Sequence, residues 1–188
     1  LDRLHAPAGR LNGEILNGTA AALLNLFDNP TSRLYTPSAT GCALLNTYDL
    51  HRTRFNAPDT VLWEHLSHTR YWEKPVWVIP VHRPKEEHWV LVIAAVQENR
   101  LFFFDSLGHH TGWRQDIQDI MLLIKRMTFI AGRYGHRMYI STEDETWTAR
   151  PLCDERNPLQ SNGYDCGVWV LCMIASVLRG FHTTNISE

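Results

Sequence analysis

Three apolar runs constrain the fold of this 188-residue chain more than any other feature. They are Pro75–Pro80, His88–Val96 and Leu101–Asp105, dense in Val, Ile, Trp and Phe. Such residues favour strands. A strand with one wet face alternates apolar and polar side chains, whereas these runs are almost continuously apolar. That predicts a sheet covered on both faces. The polar tetrad Gln97-Glu-Asn-Arg100 between the last two runs predicts an antiparallel hairpin.

The covering elements follow from helical periodicity. Asn12–Phe27 offers Ile15, Leu16, Leu23, Leu24, Leu26 and Phe27 to a buried face, and Asn29-Pro30 ends it. Asp59–Tyr71 reads as a helix capped by Asp59, with Trp63 and Leu66 on one side. In Trp113–Ile130, residues Ile117, Ile120, Met121, Ile124 and Met127 form one stripe. Cys166–Leu178 reads as a buried helix. A short helix around Cys42–Leu50 and a strand over His136–Ser141 are also expected, with Glu143–Gln160 as loop. The order of elements predicts an α+β class, with a central, mostly antiparallel sheet flanked by helices, in a single domain over residues 1–188.

Composition removes several kinds of function. Lys+Arg is 18 and Asp+Glu is 20, so there is no basic excess to neutralise phosphates, and no nucleic-acid partner is expected. The longest apolar stretch, Val168–Leu178, is too short to span a bilayer, and Leu1–Arg10 has no signal-peptide core. A nuclear or cytoplasmic monomer is expected, and the absence of an initial Met suggests a domain from a longer protein. None of Cys42, Cys153, Cys166 and Cys172 stands at C-x-x-C or zinc spacing, which predicts free thiols, no metal and no cofactor. His65 and His68 lie three apart without an acidic or thiol partner and read as a solvated helix face. His109-His110 reads as a surface loop, and Glu86-Glu87 as a charged turn.

The chemistry concentrates in Gln160-Ser-Asn-Gly-Tyr-Asp-Cys-Gly167. Asn162-Gly163 signals a turn and Asp165 a helix N-cap, which puts Cys166 in the first turn of a helix. Unpaired N–H groups and the helix dipole there favour a thiolate, the nucleophilic form. Gln160 precedes it on the entering loop, where its amide can face a developing oxyanion. Gly167 permits close backbone approach. A thiol nucleophile needs a base. His88 opens the second strand of the hairpin and Asp105 closes the third, so both fall at one end of the sheet, where the carboxylate can orient the imidazole.

His88-Trp89, Phe103-Phe-Asp-Ser-Leu107 and the Gln160–Gly167 string resemble, in this order, the His-Trp, Asp-Ser and Gln-x-Asn-x-x-Asp-Cys-Gly motifs of the Ulp-type (SUMO-specific) cysteine proteases. Arg10-Leu-Asn-Gly-Glu-Ile-Leu-Asn17 is similar to their N-terminal Trp-Leu-Asn-Asp signature. The resemblance implies a papain-like fold, a triad of Cys166, His88 and Asp105, and Gln160 as oxyanion donor. It further implies cleavage after the C-terminal Gly-Gly of a SUMO-like or other ubiquitin-like partner, with Trp89, Arg10, Leu11, Asn12 and Gly167 around the substrate. Arg10 stands where the family has Trp and Gly13 where it has Asp, so either the slot is built differently or the substrate is not ordinary SUMO. Two other readings stay open from sequence: a module that binds such modifiers without cutting, and an acyltransferase with the same triad.

Overall fold

The computed structural model describes residues 9–109, 112–153, 159–181 and 184. Among them, five strands form one sheet in the order β1-β2-β3-β4-β5. They are β1 (Cys42–Leu44), β2 (Val76–Arg83), β3 (His88–Ala95), β4 (Arg100–Phe104) and β5 (Thr148–Pro151). β2, β3 and β4 pair antiparallel, while the short edge strands β1 and β5 pair parallel to β2 and β4. The expected hairpin is therefore present, and β3 occupies the centre.

Both faces of the sheet are buried, for the reason the apolar runs implied. Trp77, Ile79, Val81, Val90, Val92, Ala94, Leu101 and Phe103 point to one side. There they meet α3 (Thr47–Arg54), α4 (Asp59–Leu66) and α5 (Trp113–Arg133). Val78, Trp89, Leu91, Ile93 and Phe104 alternate to the other side and meet α1 (Gly13–Asp28) and α6 (Cys166–Leu178). A four-residue helix, α2 (Pro37–Thr40), adjoins α1. Each fully buried aliphatic or aromatic side chain contributes about 1.5–3 kcal/mol. Two polar groups inside the core are paired: Trp77 Nε1 donates to the Tyr71 carbonyl at 3.0 Å, and the Tyr71 hydroxyl donates to the Met127 carbonyl at 2.8 Å.

This is the α+β arrangement expected, with local corrections. α1 is capped by the Asn12 side chain, which accepts from the Ile15 N–H, and Leu26 is turned out, 41% exposed. Cys42–Leu44 is a strand, and the helix expected around it begins later, at Thr47. Asn46 and Asp49 fix that start with a reciprocal capping box. Asp59 is the first residue of α4 and pairs with Arg126; the N-cap is Pro58, and the helix ends at Leu66 before two 3₁₀ turns. Residues 136–141 are irregular, and the strand on that side is β5, inside the segment expected to be loop.

Candidate active site

The β3–β4 ladder closes at the pair Leu91–Phe104. His88 extends past that point, held only by β2 through its pairing with Arg83. The chain leaves β4 at once into Asp105, whose side chain turns toward His88. His88 Nε2 lies 2.7 Å from Asp105 Oδ1, and both residues are buried. Oδ1 also accepts from the Leu107 backbone N–H at 3.0 Å.

Cys166 begins α6, which packs lengthwise on β3, so the sulfur arrives at the same sheet end. It is 1% exposed and electrostatically coupled to His88. Burial opposes the Cys166 thiolate, yet hydrogen bonds from His88 and from the backbone N–H groups of Trp89 and Gly167 outweigh it and lower the thiol below its ordinary value. Burial likewise opposes charge on His88, but its bonds to Asp105 and Cys166 raise the imidazole to about 9. The pair is electrostatically poised as thiolate and imidazolium. The other thiols are not: burial drives Cys42 and Cys153 up to about 11, and Cys172 also upward.

The loop before α6 is tied down by a side chain the sequence reading treated only as a turn residue. Asn162 Oδ1 accepts from the N–H groups of Tyr164 and Asp165, and its Nδ2 donates to Asp165 Oδ2 at 2.7 Å. Asp165 holds the N-cap position but makes no side-chain cap bond to the helix, because its carboxylate serves Asn162. Gln160 is 1% exposed. Its Oε1 accepts from Ser106 Oγ at 2.6 Å, and its Nε2 donates to the Asn162 carbonyl at 2.7 Å. The Ser106 carbonyl accepts from both Leu159 and Gln160 N–H groups. Ser106 thus joins the strand carrying Asp105 to the loop carrying Gln160. Ser106 was quoted in the motif without a role; its position after the strand-end Asp was the available signal.

The expected substrate-side residues divide. Trp89 is 6% exposed and belongs to the α6-side core, where its Nε1 donates to the Leu11 carbonyl at 2.9 Å. Its ring leans on His82, centroids 4.4 Å apart, and lines a cavity of about 480 Å³ with Arg10, Asn12, Tyr48 and Glu87. Cys166 is not among the walls of that cavity. Leu11 and Asn12 act within the chain: Leu11 is buried, and Asn12 caps α1. The close approach at Gly167 is made by Leu11, since a Cβ on Gly167 would lie 2.9 Å from the Leu11 Cβ. Arg10 forms an ion pair with Glu87 across the cavity mouth. A side chain at Gly13 would crowd Thr47 Oγ1 at 3.0 Å and the Tyr48 hydroxyl, which accounts for the missing Asp there. His65, His68 and His109 are exposed, and His110 lies outside the described residues. Among the described residues no group of His, Cys, Asp and Glu could hold a metal ion, and no helix is long and apolar enough to cross a membrane.

A profile described as the Ulp1 protease family, C-terminal catalytic domain, matches residues 51–188. The chain belongs to the Ulp1 protease family. It is thereby a domain of a cysteine peptidase family. A probable sentrin-specific protease 8 of Dictyostelium discoideum is 27% identical over 92 residues, 49% of this chain and 32% of the relative, so the match spans about a third of that protein. Among solved structures, a SUMO protease Ulp1 with its catalytic cysteine oxidised to a sulfenic acid superposes with a TM-score of 0.66 at 16% identity, covering 97% of this chain and 72% of that one. A C-terminal Ulp1 protease domain in complex with Smt3, the yeast ortholog of SUMO, gives 0.63 at 15% identity, covering 97% of this chain and 71% of that one. At these identities the structural likeness is one of fold.

Proposed function

We propose that this Ulp1-family domain cleaves after the C-terminal Gly-Gly of a SUMO-like or other ubiquitin-like modifier, as processing or deconjugation. One observation carries the reading: the buried His88 ring is hydrogen-bonded to Asp105 and electrostatically coupled to Cys166 at the start of a helix. The Cys166 thiolate attacks the carbonyl carbon of the modifier's last Gly, and the Gln160 amide, which rests on Asn162 in the free domain, donates to the oxyanion. The C–N bond breaks as His88 gives its proton to the leaving amine. His88 then takes a proton from water, whose oxygen attacks the thioester; the C–S bond breaks and the sulfur leaves as thiolate. Asp105 holds the ring and stabilises its charge throughout.

The modifier class rests on shape and on the relatives. A sulfur 1% exposed, beside a fixed Trp89, suits a thin chain end without side chains. One Ulp1 relative was solved in complex with a SUMO ortholog. Both buried clusters share one sheet, so the chain is read as one catalytic domain. The test is a panel of ubiquitin-like proteins ending in Gly-Gly with a C-terminal electrophile. At least one should form an adduct with the wild type and none with Cys166→Ala. An absence of adducts across the panel removes the reading.

A further inference from the structure

Behind the proposed triad lies a buried charge. Arg83, the last residue of β2, has a side chain 7% exposed. Its Nη1 donates to Asp105 Oδ2 at 3.0 Å, while Nε and Nη2 donate to Asp116 Oδ2 at 2.9 and 2.6 Å. Asp116 is in the first turn of α5 and meets Arg54 of α3 at 3.5 Å. Arg54 continues to Asp119 at 2.6 Å and to the His82 carbonyl at 2.9 Å. A chain of alternating charge therefore runs from α5 through Arg83 to Asp105, His88 and Cys166. The two oxygens of Asp105 are divided, Oδ2 to Arg83 and Oδ1 to His88.

We infer that Arg83 is a positioning residue for the proposed triad: its guanidinium fork fixes the Asp105 carboxylate so that Oδ1 faces His88. This rests on the functional reading above. An Arg fork presents several N–H groups in one rigid plane, so it can span two carboxylates and set the rotation of each. The fold reserves room for it. A Cβ on Gly112 would stand 2.7 Å from Arg83 Nε and 2.8 Å from its Cζ, so the turn into α5 accommodates the guanidinium only because residue 112 has no side chain. Gly112 has φ −87, an ordinary backbone angle, so this glycine serves contact and not chain geometry.

The consequence concerns reactivity at the sulfur. Without Arg83, Asp105 and Asp116 lose the cation that bridges them, and the Asp105 carboxylate is free to turn, which weakens its hold on His88. The charged and titratable groups around this point are Asp105 at the end of β4, Cys153 beyond β5, Asp116 and Asp119 from α5, Arg54 from α3, His82 from β2, Glu87 before β3, and His88 with Cys166.

The experiment reads alkylation of Cys166 by iodoacetamide from pH 5 to 10, resolved by peptide mapping from the other three thiols. Melting temperature is recorded in parallel. In Arg83→Met the acid limb should move up by about one pH unit, slowing alkylation about tenfold on that limb. Arg83→Lys returns the charge without the fork, so it should restore only part of the shift. Gly112→Ala retains every charged group but displaces the guanidinium, so it should move the limb the same way by less. If Arg83→Met does not fold, the Lys and Ala variants decide. A wild-type limb below that of an ordinary thiol, with all variants superimposed on it, overturns the positioning role alone. Variants that melt lower while keeping the wild-type limb likewise reduce Arg83 to a structural residue. A wild-type Cys166 with an ordinary thiol profile overturns both this inference and the functional reading.

Discussion

On the α1/α6 side of the sheet, Cys166 is set by apolar packing and backbone bonds: α6 buries Trp169, Val170, Met173 and Ile174 against β3, and Leu11 seats on Gly167. On the α3/α5 side, the group that answers it is set by charge: Arg83, Asp116 and Arg54 lie at the rim of a core that is otherwise aliphatic. The two sides meet at His88. The apolar side fixes where the sulfur is. The charged side fixes which way the proton carrier points. Packing tolerates small shifts of register but charge does not, because a buried ion that loses its partner stays desolvated.

Substitutions can pull these two contributions apart. The largest effect is expected at the junction. Cys166→Ala or His88→Ala should reduce hydrolysis of a responsive modifier probe by about 10⁴-fold or more, with the fold retained by circular dichroism. Next come the packing positions. Ile174→Ala on the α6 side and Ile124→Ala on the α5 side, both fully buried, should each lower stability by about 3 kcal/mol in denaturant unfolding. Activity should then follow the folded fraction, with an unchanged pH profile.

A third test uses pH. His88 is raised from 6.5 to about 9, so its stabilising charge is complete below about 6.5 and lost as pH rises through about 9. Cys166 is lowered, so its contribution is present above the ordinary thiol value and lost as pH falls through its folded value. The ion pair exists between these limits, and kcat/KM should fall on the alkaline side near pH 9, because the leaving amine then loses its proton donor. The smallest effect is expected at the exposed pair Arg10–Glu87. Arg10→Ala should change stability by no more than about 0.5 kcal/mol and change KM more than kcat, which steady-state kinetics would show.

Much of this was legible in the sequence because it is local or strongly periodic. α6 starts at Cys166, as the Asp-Cys-Gly string implied, and the continuous apolar runs foretold a sheet with two buried faces. What escaped is long-range or weakly patterned. β1 has three residues and exists only by pairing with Val76–Val78, more than thirty positions away in sequence, so no local signal marks it. β5 is exposed throughout and contains Pro151, which leaves no alternation to read. Met138 and Ile140 made residues 136–141 look like a strand; they pack on the α5-side core from irregular backbone. Arg83 carried no signal, since a charged residue at a strand end is ordinarily solvated and only the tertiary fold reveals its two carboxylates.

The placement of Cys166 on the closing helix has a consequence for synthesis. A polypeptide emerging from the ribosome carries His88 and Asp105 well before it carries the sulfur, and the sulfur reaches them only when α6 docks on a finished β3. In the proposed reading a partly made chain has no means of cutting anything, itself included. In that reading reactivity arrives only with the docking of α6, after the sheet it packs on has been made.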